Sequence, residues 1–125
     1  QIKLQAEFAS YGLGSFVESA SLGFAGNGYI NLNAKDGVIH WTKVDGRNGG
    51  NRTIRFRYAN GGSNTRSARL IINGIAQYIN FPSTGAYETY GFVTLKVDLQ
   101  QGFTNSIRLE AVEDGAGYID ELQIF

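Results

Sequence analysis

Cysteine and methionine are absent from the 125 residues, and proline, tryptophan and histidine each occur once. Without cysteine there is no disulfide framework and no thiolate metal site, and cysteine usage carries no information on compartment. A lone histidine also removes His-dependent triads with a spare base and multi-His metal centres. Net charge is missing too: eleven Lys and Arg balance eleven Asp and Glu, with no like-charge run. A partner held by counter-ion release, such as nucleic acid, is therefore not expected, and a neutral or weakly charged one is. No apolar run approaches the ~20 residues of a membrane-spanning helix, so a soluble protein without membrane attachment is expected. The chain starts at Gln1 without Met, as an excised module of something longer would.

Glycine is plentiful, with 17 occurrences, and apolar residues recur with period two and not with a sustained helical period. The alternating runs are Ile2/Leu4/Ala6/Phe8, Ile30/Leu32, Ile39/Trp41, Ile54/Phe56/Tyr58, Leu70/Ile72, Val93/Leu95/Val97/Leu99, Ile107/Leu109/Ala111 and Leu122/Ile124. Turn clusters separate them, among them Gly12-Leu13-Gly14, Asp45 to Asn51, Asn60 to Asn64 and Glu113 to Gly117. This pattern predicts one all-β domain over residues 1–125, a β-sandwich of jelly-roll type with about eight to nine antiparallel strands. The phase of Trp41, Tyr29 and Tyr58 places them in the core. In "RFRYANGG", residues 55–62, a half-buried strand runs into Asn and Gly residues suited to a reversal.

One constellation asks for more than packing. In Gln5-Ala6-Glu7 two oxygen-bearing side chains stand i and i+2 on an expected strand and so share a face. Asp120 alternates in phase with Leu122 and Ile124, which puts a carboxylate on the inward side, where it needs a partner. First and last strands are often neighbours in sandwiches, so Gln5, Glu7 and Asp120 could together offer oxygen ligands to calcium. The alternative is a solvated Gln5/Glu7 face with Asp120 paired to an arginine.

"LQAEFA", "GFAGNGYINL", "RFRYANGG", "LIING", "FPSTGAYETY", "GFTNSIRLEA" and "GYIDELQI" follow one another along the chain. In this order the chain resembles carbohydrate-binding modules of family 35, or the closely related family 6, essentially from end to end. The resemblance implies a non-catalytic, secreted, monomeric module that holds a covalently linked polysaccharide-degrading enzyme on its substrate. It implies a structural calcium held by Gln5, Glu7, the backbone of Ala25 and Asp120. It also implies a sugar site in loops at one end of the sandwich, with Tyr87, Asn27 and Tyr118 at the matching positions. An aromatic ring suits this task because a pyranose face is apolar while its rim needs hydrogen bonds. Shallow sites of this kind give dissociation constants of roughly 10–1,000 μM. Tyr87 stands where Trp is common and Tyr118 where Asn is frequent, which implies a re-tuned site or binding on the concave sheet face.

Tyr90 is an alternative ligand contact, with Tyr87 then turned inward. Asp36 and His40 are further candidate contacts, their alternative being solvation. Arg55 and Arg57 project together and could grip a uronic acid carboxylate or form a solvated face. Two other function classes stay open. A small glycosidase would draw on Glu18, Asp36, Glu113 and Asp114, whose spacing does not recommend them. A protein-binding or structural sandwich without sugar affinity is equally compatible with the architecture.

Overall fold

The computed structural model describes residues 1–12, 15–113 and 115–125, and only the backbone of Phe16. Leu13, Gly14 and the candidate carboxylate Asp114 lie outside the described residues. Among those described, eleven strands form: β1 Ile2–Gln5, β2 Ser10–Gly12, β3 Phe16–Glu18, β4 Tyr29–Asn31, β5 Val38–Val44, β6 Gly50–Ala59, β7 Arg66–Ile72, β8 Ile75–Phe81, β9 Gly91–Leu99, β10 Asn105–Ala111 and β11 Tyr118–Ile124. One sheet has the order β3-β4-β11-β6-β9, with β1 pairing β11 beyond the end of β4; the other has the order β2-β5-β10-β7-β8. All pairings are antiparallel. The expected all-β sandwich is what forms.

Each alternating run of the sequence contributes a strand because one of its faces is buried between the sheets. On β6, Ile54, Phe56 and Tyr58 face inward while Arg55 and Arg57 face out. The aromatic centre of the core joins Trp41 to Phe56 at 5.9 Å, Phe56 to Phe81 at 6.2 Å and Tyr58 to Phe81 at 4.9 Å between ring centroids. Three strands lie outside the alternating runs. β2 and β3 have only three residues each, and β8 is an edge strand whose first four residues are exposed, with burial and period confined to Ile79 and Phe81.

Two local departures shape the site. β1 stops at Gln5, and Ala6–Phe8 forms a turn of 3-10 helix, whose three-residue period breaks the alternation. Ala6 is buried as expected, but Phe8, expected inward, is 73% exposed. On β11 the register slips between Ile119 and Glu121, leaving Asp120 as the extra residue of a bulge. Ile119, Leu122 and Ile124 all reach the core, while Asp120 meets Arg57 on the outer side of β6. The acid is buried as expected, yet beneath the loop carrying Ala25 and not between the sheets.

The two ends of the chain run together. Ile2 pairs with Ile124, and Gln1 donates from Nε2 to Gln123 Oε1 at 3.0 Å. The opposite end of β11, at Tyr118, meets Asn31 and Ala59, and there the loops around residues 31–36, 60–65, 82–90 and 112–117 gather.

Candidate functional site

The loop cluster is organised by the Asn60-Gly61 pair that closes β6. Asn60 is fully buried, and its side-chain amide donates to the carbonyls of Asn64 and Phe81 and accepts from the Gly62 amide. Its backbone carbonyl accepts from the Thr84 amide at 2.9 Å, tying the 82–90 loop to β6. Tyr87, in that loop, lies on Gly61: a Cβ there would stand 2.6 Å from ring atoms Cε2 and Cγ. The Asn-Gly turn thus serves geometry, and its product is the position of an aromatic ring.

Tyr87 in turn packs on Tyr118 at 4.4 Å between centroids, and Tyr118 stacks on the buried Tyr29 at 4.3 Å. Three expected aromatics, one from the core and two from the site, form one column. Its base is held by Glu18, which accepts from the Tyr29 hydroxyl at 3.2 Å and from Asn31 Nδ2 at 3.1 Å. Its top is held by Asn33, which donates to the Tyr87 hydroxyl at 3.3 Å and accepts from Arg66 Nη1 at 2.6 Å. Burial, then the neighbouring Tyr29, pushes the Tyr118 phenol above its usual value. Tyr87 and Tyr118 are both half-buried. Asn33 and Arg66 were not singled out in the sequence; what reveals them is pairing across 33 residues, which no local pattern carries.

A second polar cluster forms at the 25–27 turn. The Asn27 amide donates to Glu7 Oε1 at 3.0 Å, Gln5 donates to Glu121 Oε2 at 2.6 Å, and the Ala25 amide donates to both Asp120 oxygens at 2.9 and 3.1 Å. At Gly26, whose φ is +66°, a Cβ would stand 2.8 Å from Gln5 Oε1 and closer still to Glu7 Oε1. Gln5 Oε1 and Glu7 Oε2 are buried with no hydrogen-bond partner among the described residues. Two unsatisfied buried acceptors, Gln5 Oε1 at Gly26 and Glu7 Oε2, are costly unless something donates to them or is coordinated by them. The structure therefore brings Gln5, Glu7 and Asp120 to consecutive residues of one turn, and the oxygen donor set suits a hard cation. Among the described residues no three His, Cys, Asp or Glu side chains cluster, so an amide oxygen and backbone carbonyls would have to complete a shell.

Asp120 also pairs with Arg57 Nη1 at 2.5 Å. Burial pushes its carboxyl up to about 6, against the pull of the Ala25 amide and Arg57. Arg57 lies 4.5 Å over the Tyr90 ring and donates to the Gly23 carbonyl at 2.8 Å. Tyr90 thus belongs to the Arg57–Asp120 group, not to the tyrosine column, and its buried hydroxyl has no partner among the described residues. Arg55 is held between Phe92 at 4.0 Å and Phe125 at 5.0 Å while bonding Gln123. Both arginines are engaged within the sheet face.

The remaining candidates scatter. The Asn27 side chain is exposed beside the 25–27 turn, and Asp36 is exposed with φ +68°. His40 bonds Ser106 at 2.6 Å on the outer face of β5, in a different groove with Lys3, Phe8 and Phe103. Of the carboxylates weighed for catalysis, Glu18 is bound to the column and Glu113 is exposed at a turn with φ +50°.

Residues 38–120 match a family described as CBM13-like, alpha-galactosidase, CBM13 domain. The native structure of a family 35 carbohydrate binding module from Clostridium thermocellum superposes with a TM-score of 0.92 at 33% identity, covering 99% of this chain and 96% of that one. Xyl-CBM35 in complex with a glucuronic acid containing disaccharide superposes with a TM-score of 0.87 at 34% identity, covering 100% of this chain and 93% of that one. Endo-1,4-beta-xylanase B of Cellvibrio japonicus (strain Ueda107) is 36% identical over 112 residues, 86% of this chain. The alignment spans only 18% of the xylanase's length.

Proposed function

The chain belongs to carbohydrate-binding module family 35, and from that premise we propose that it anchors a larger, secreted polysaccharide-degrading enzyme to its glycan through the tyrosine column at the loop end. As a member of that family it is a non-catalytic carbohydrate-binding module. Family 35 modules are small parts of larger glycoside hydrolases, as the xylanase alignment illustrates. The observation that carries the loop-end reading is the column Tyr29–Tyr118–Tyr87, capped by Asn33 and Arg66. There the edges and hydroxyls of the rings meet the Asn33 amide and the Arg66 guanidinium, groups suited to the hydroxyl rim of a sugar.

A xylan carrying glucuronic acid is the first glycan to test. The likeness to Xyl-CBM35 and to a xylanase supports it, and the Arg66 guanidinium beside the column is suited to a carboxylate. Calcium is the proposed structural ion, held by Gln5, Glu7 and Asp120 with backbone oxygen at Ala25. The orphaned Gln5 Oε1 and Glu7 Oε2 are the observation that fits it. When bound, the ion would cross-link the amino-terminal segment, the 25–27 turn and β11. In this reading the module works as an extracellular monomer, and neither nucleic acid nor a membrane takes part.

Affinity electrophoresis through gels containing glucuronoxylan, arabinoxylan, galactan or mannan, with and without EDTA, tests the reading. Retardation by one polymer, reduced in Tyr87→Ala, is the expected result. No retardation in any gel would shift the function to a protein partner.

A further inference from the structure

Tyr118 carries a ring on each face, Tyr29 on one and Tyr87 on the other, while Tyr87 lies between Tyr118 and the Gly61 backbone. Both site tyrosines therefore offer edges and hydroxyls, and neither offers a whole open face. A sugar that stacks must find another ring. Tyr78 supplies one: on edge strand β8 it is 71% exposed, its ring largely open to solvent.

Tyr78 forms part of the wall of a groove of about 810 Å³, within the ~300–1,000 Å³ typical of small-ligand sites. The groove's other walls come from residues 62–67, 112, 113 and 115 and carry Ser63, Asn64, Thr65, Arg66, Ser67 and Glu113. Hydroxyls, an amide, a guanidinium and the Glu113 carboxylate around an open ring form the donor and acceptor set that a pyranose rim requires. The groove is also joined to the tyrosine column. Arg66, in the groove, donates to Asn33, and Asn33 donates to the Tyr87 hydroxyl. One hydrogen-bonded chain thus runs from the loop-end site into the groove.

We propose that this groove is a second sugar subsite, with Tyr78 as its stacking platform, so that the module grips two or more consecutive pyranose units of a glycan chain and not a single terminal sugar. The proposal rests on the sugar-binding reading above and adds where the chain lies and how much of it is held.

Tyr78→Ala and Tyr78→Phe, run beside the parent chain in the four polysaccharide gels, test it. In the gel that retards the parent most, Tyr78→Ala should bind about tenfold more weakly while Tyr78→Phe stays within about twofold, because the ring and not the hydroxyl does the stacking. Thermal melting of both variants at the parent's temperature would show that the exposed position carries no fold. Parent-like retardation of Tyr78→Ala would overturn the subsite and leave the loop-end function standing. Equal loss in both variants would overturn the stacking role, and a parent unretarded in all gels would overturn both readings.

Discussion

Gly61 keeps its identity because of what lies on it. Its φ is not in the left-handed region, so backbone freedom is not the reason; the Tyr87 ring occupies the space of a Cβ. Gly61→Ala should displace Tyr87, weaken glycan retardation as Tyr87→Ala does, and cost about 1–3 kcal/mol in urea unfolding. Arg57 is a sharper case. Asp120 is wholly buried and Arg57 is its one charged partner among the described residues, the arginine side chain being 25% exposed. Arg57→Ala would leave a buried carboxylate uncompensated and should cost about 3 kcal/mol, at the lower end for a broken buried pair because of that partial exposure. Adding Asp120→Asn should recover part of the loss, since a neutral amide oxygen can still accept from Ala25. Urea denaturation in EDTA reads both. A double variant no more stable than the single one would refute the account. The sequence made Asp120 legible as a buried acid, but the bulge that swings it onto the outer face leaves no trace in an alternation of apolar residues.

The amino-terminal strand is an element whose end is set by its partners. The 3-10 turn at Ala6–Phe8 replaces three residues of expected strand and aims Glu7 at the 25–27 turn. If calcium sits there, 100 times its dissociation constant should stabilise the fold by about 2.7 kcal/mol, since the unfolded chain has no such site. EDTA should then lower the melting temperature of the parent while sugar binding survives at temperatures where the fold persists. Glu7→Ala should melt at the EDTA value and ignore added calcium; a calcium-dependent shift that survives Glu7→Ala would move the ion elsewhere. The elements that the sequence concealed share a cause. Alternation is written only where one face is covered, and β8 exposes Ile75, Ala76, Gln77 and Tyr78 in succession. The proposed second subsite lies on that strand, so the part of the binding surface hardest to see in the sequence is the part that packs least.

At the scale of the whole molecule, three tyrosines link stability to alkaline pH. Burial raises the phenols of Tyr58, Tyr90 and Tyr118, and Asp120 adds to the effect at Tyr90. In the unfolded chain they ionise near 10, so above that pH the unfolded state releases protons first and stability falls as pH rises; below it their contribution is intact. The melting temperature should drop as pH rises above about 10, and less steeply in Tyr90→Phe. At neutral pH that variant should lose no stability, because the hydroxyl it removes is buried without a partner among the described residues. An unchanged slope in Tyr90→Phe would assign the alkaline transition elsewhere. The sandwich and its core tyrosines were legible because buried alternation carries them, and the gathering of Gln5, Glu7 and Asp120 because motif order does, although the 3-10 turn and the bulge that bring them together were not. The column Tyr29–Tyr118–Tyr87 was not, because stacking between positions 29, 87 and 118 is a property of closure and not of any local run.

The pairing of Ile2 with Ile124 has a mechanical side. Flanking polypeptide on either side would leave this module from one pole, its two strands abreast. The tyrosine column stands at the far end of β11, about 20 Å away at ~3.3 Å per residue. Such a body would plug into a host like a bulb into a socket: hung from a tail or spliced into a surface loop, it would present the same end, the one proposed to hold sugar, outward. Where polypeptide continues from both ends, the paired strands would resist twisting more than a single tether, and the orientation of that end would be inherited from the host.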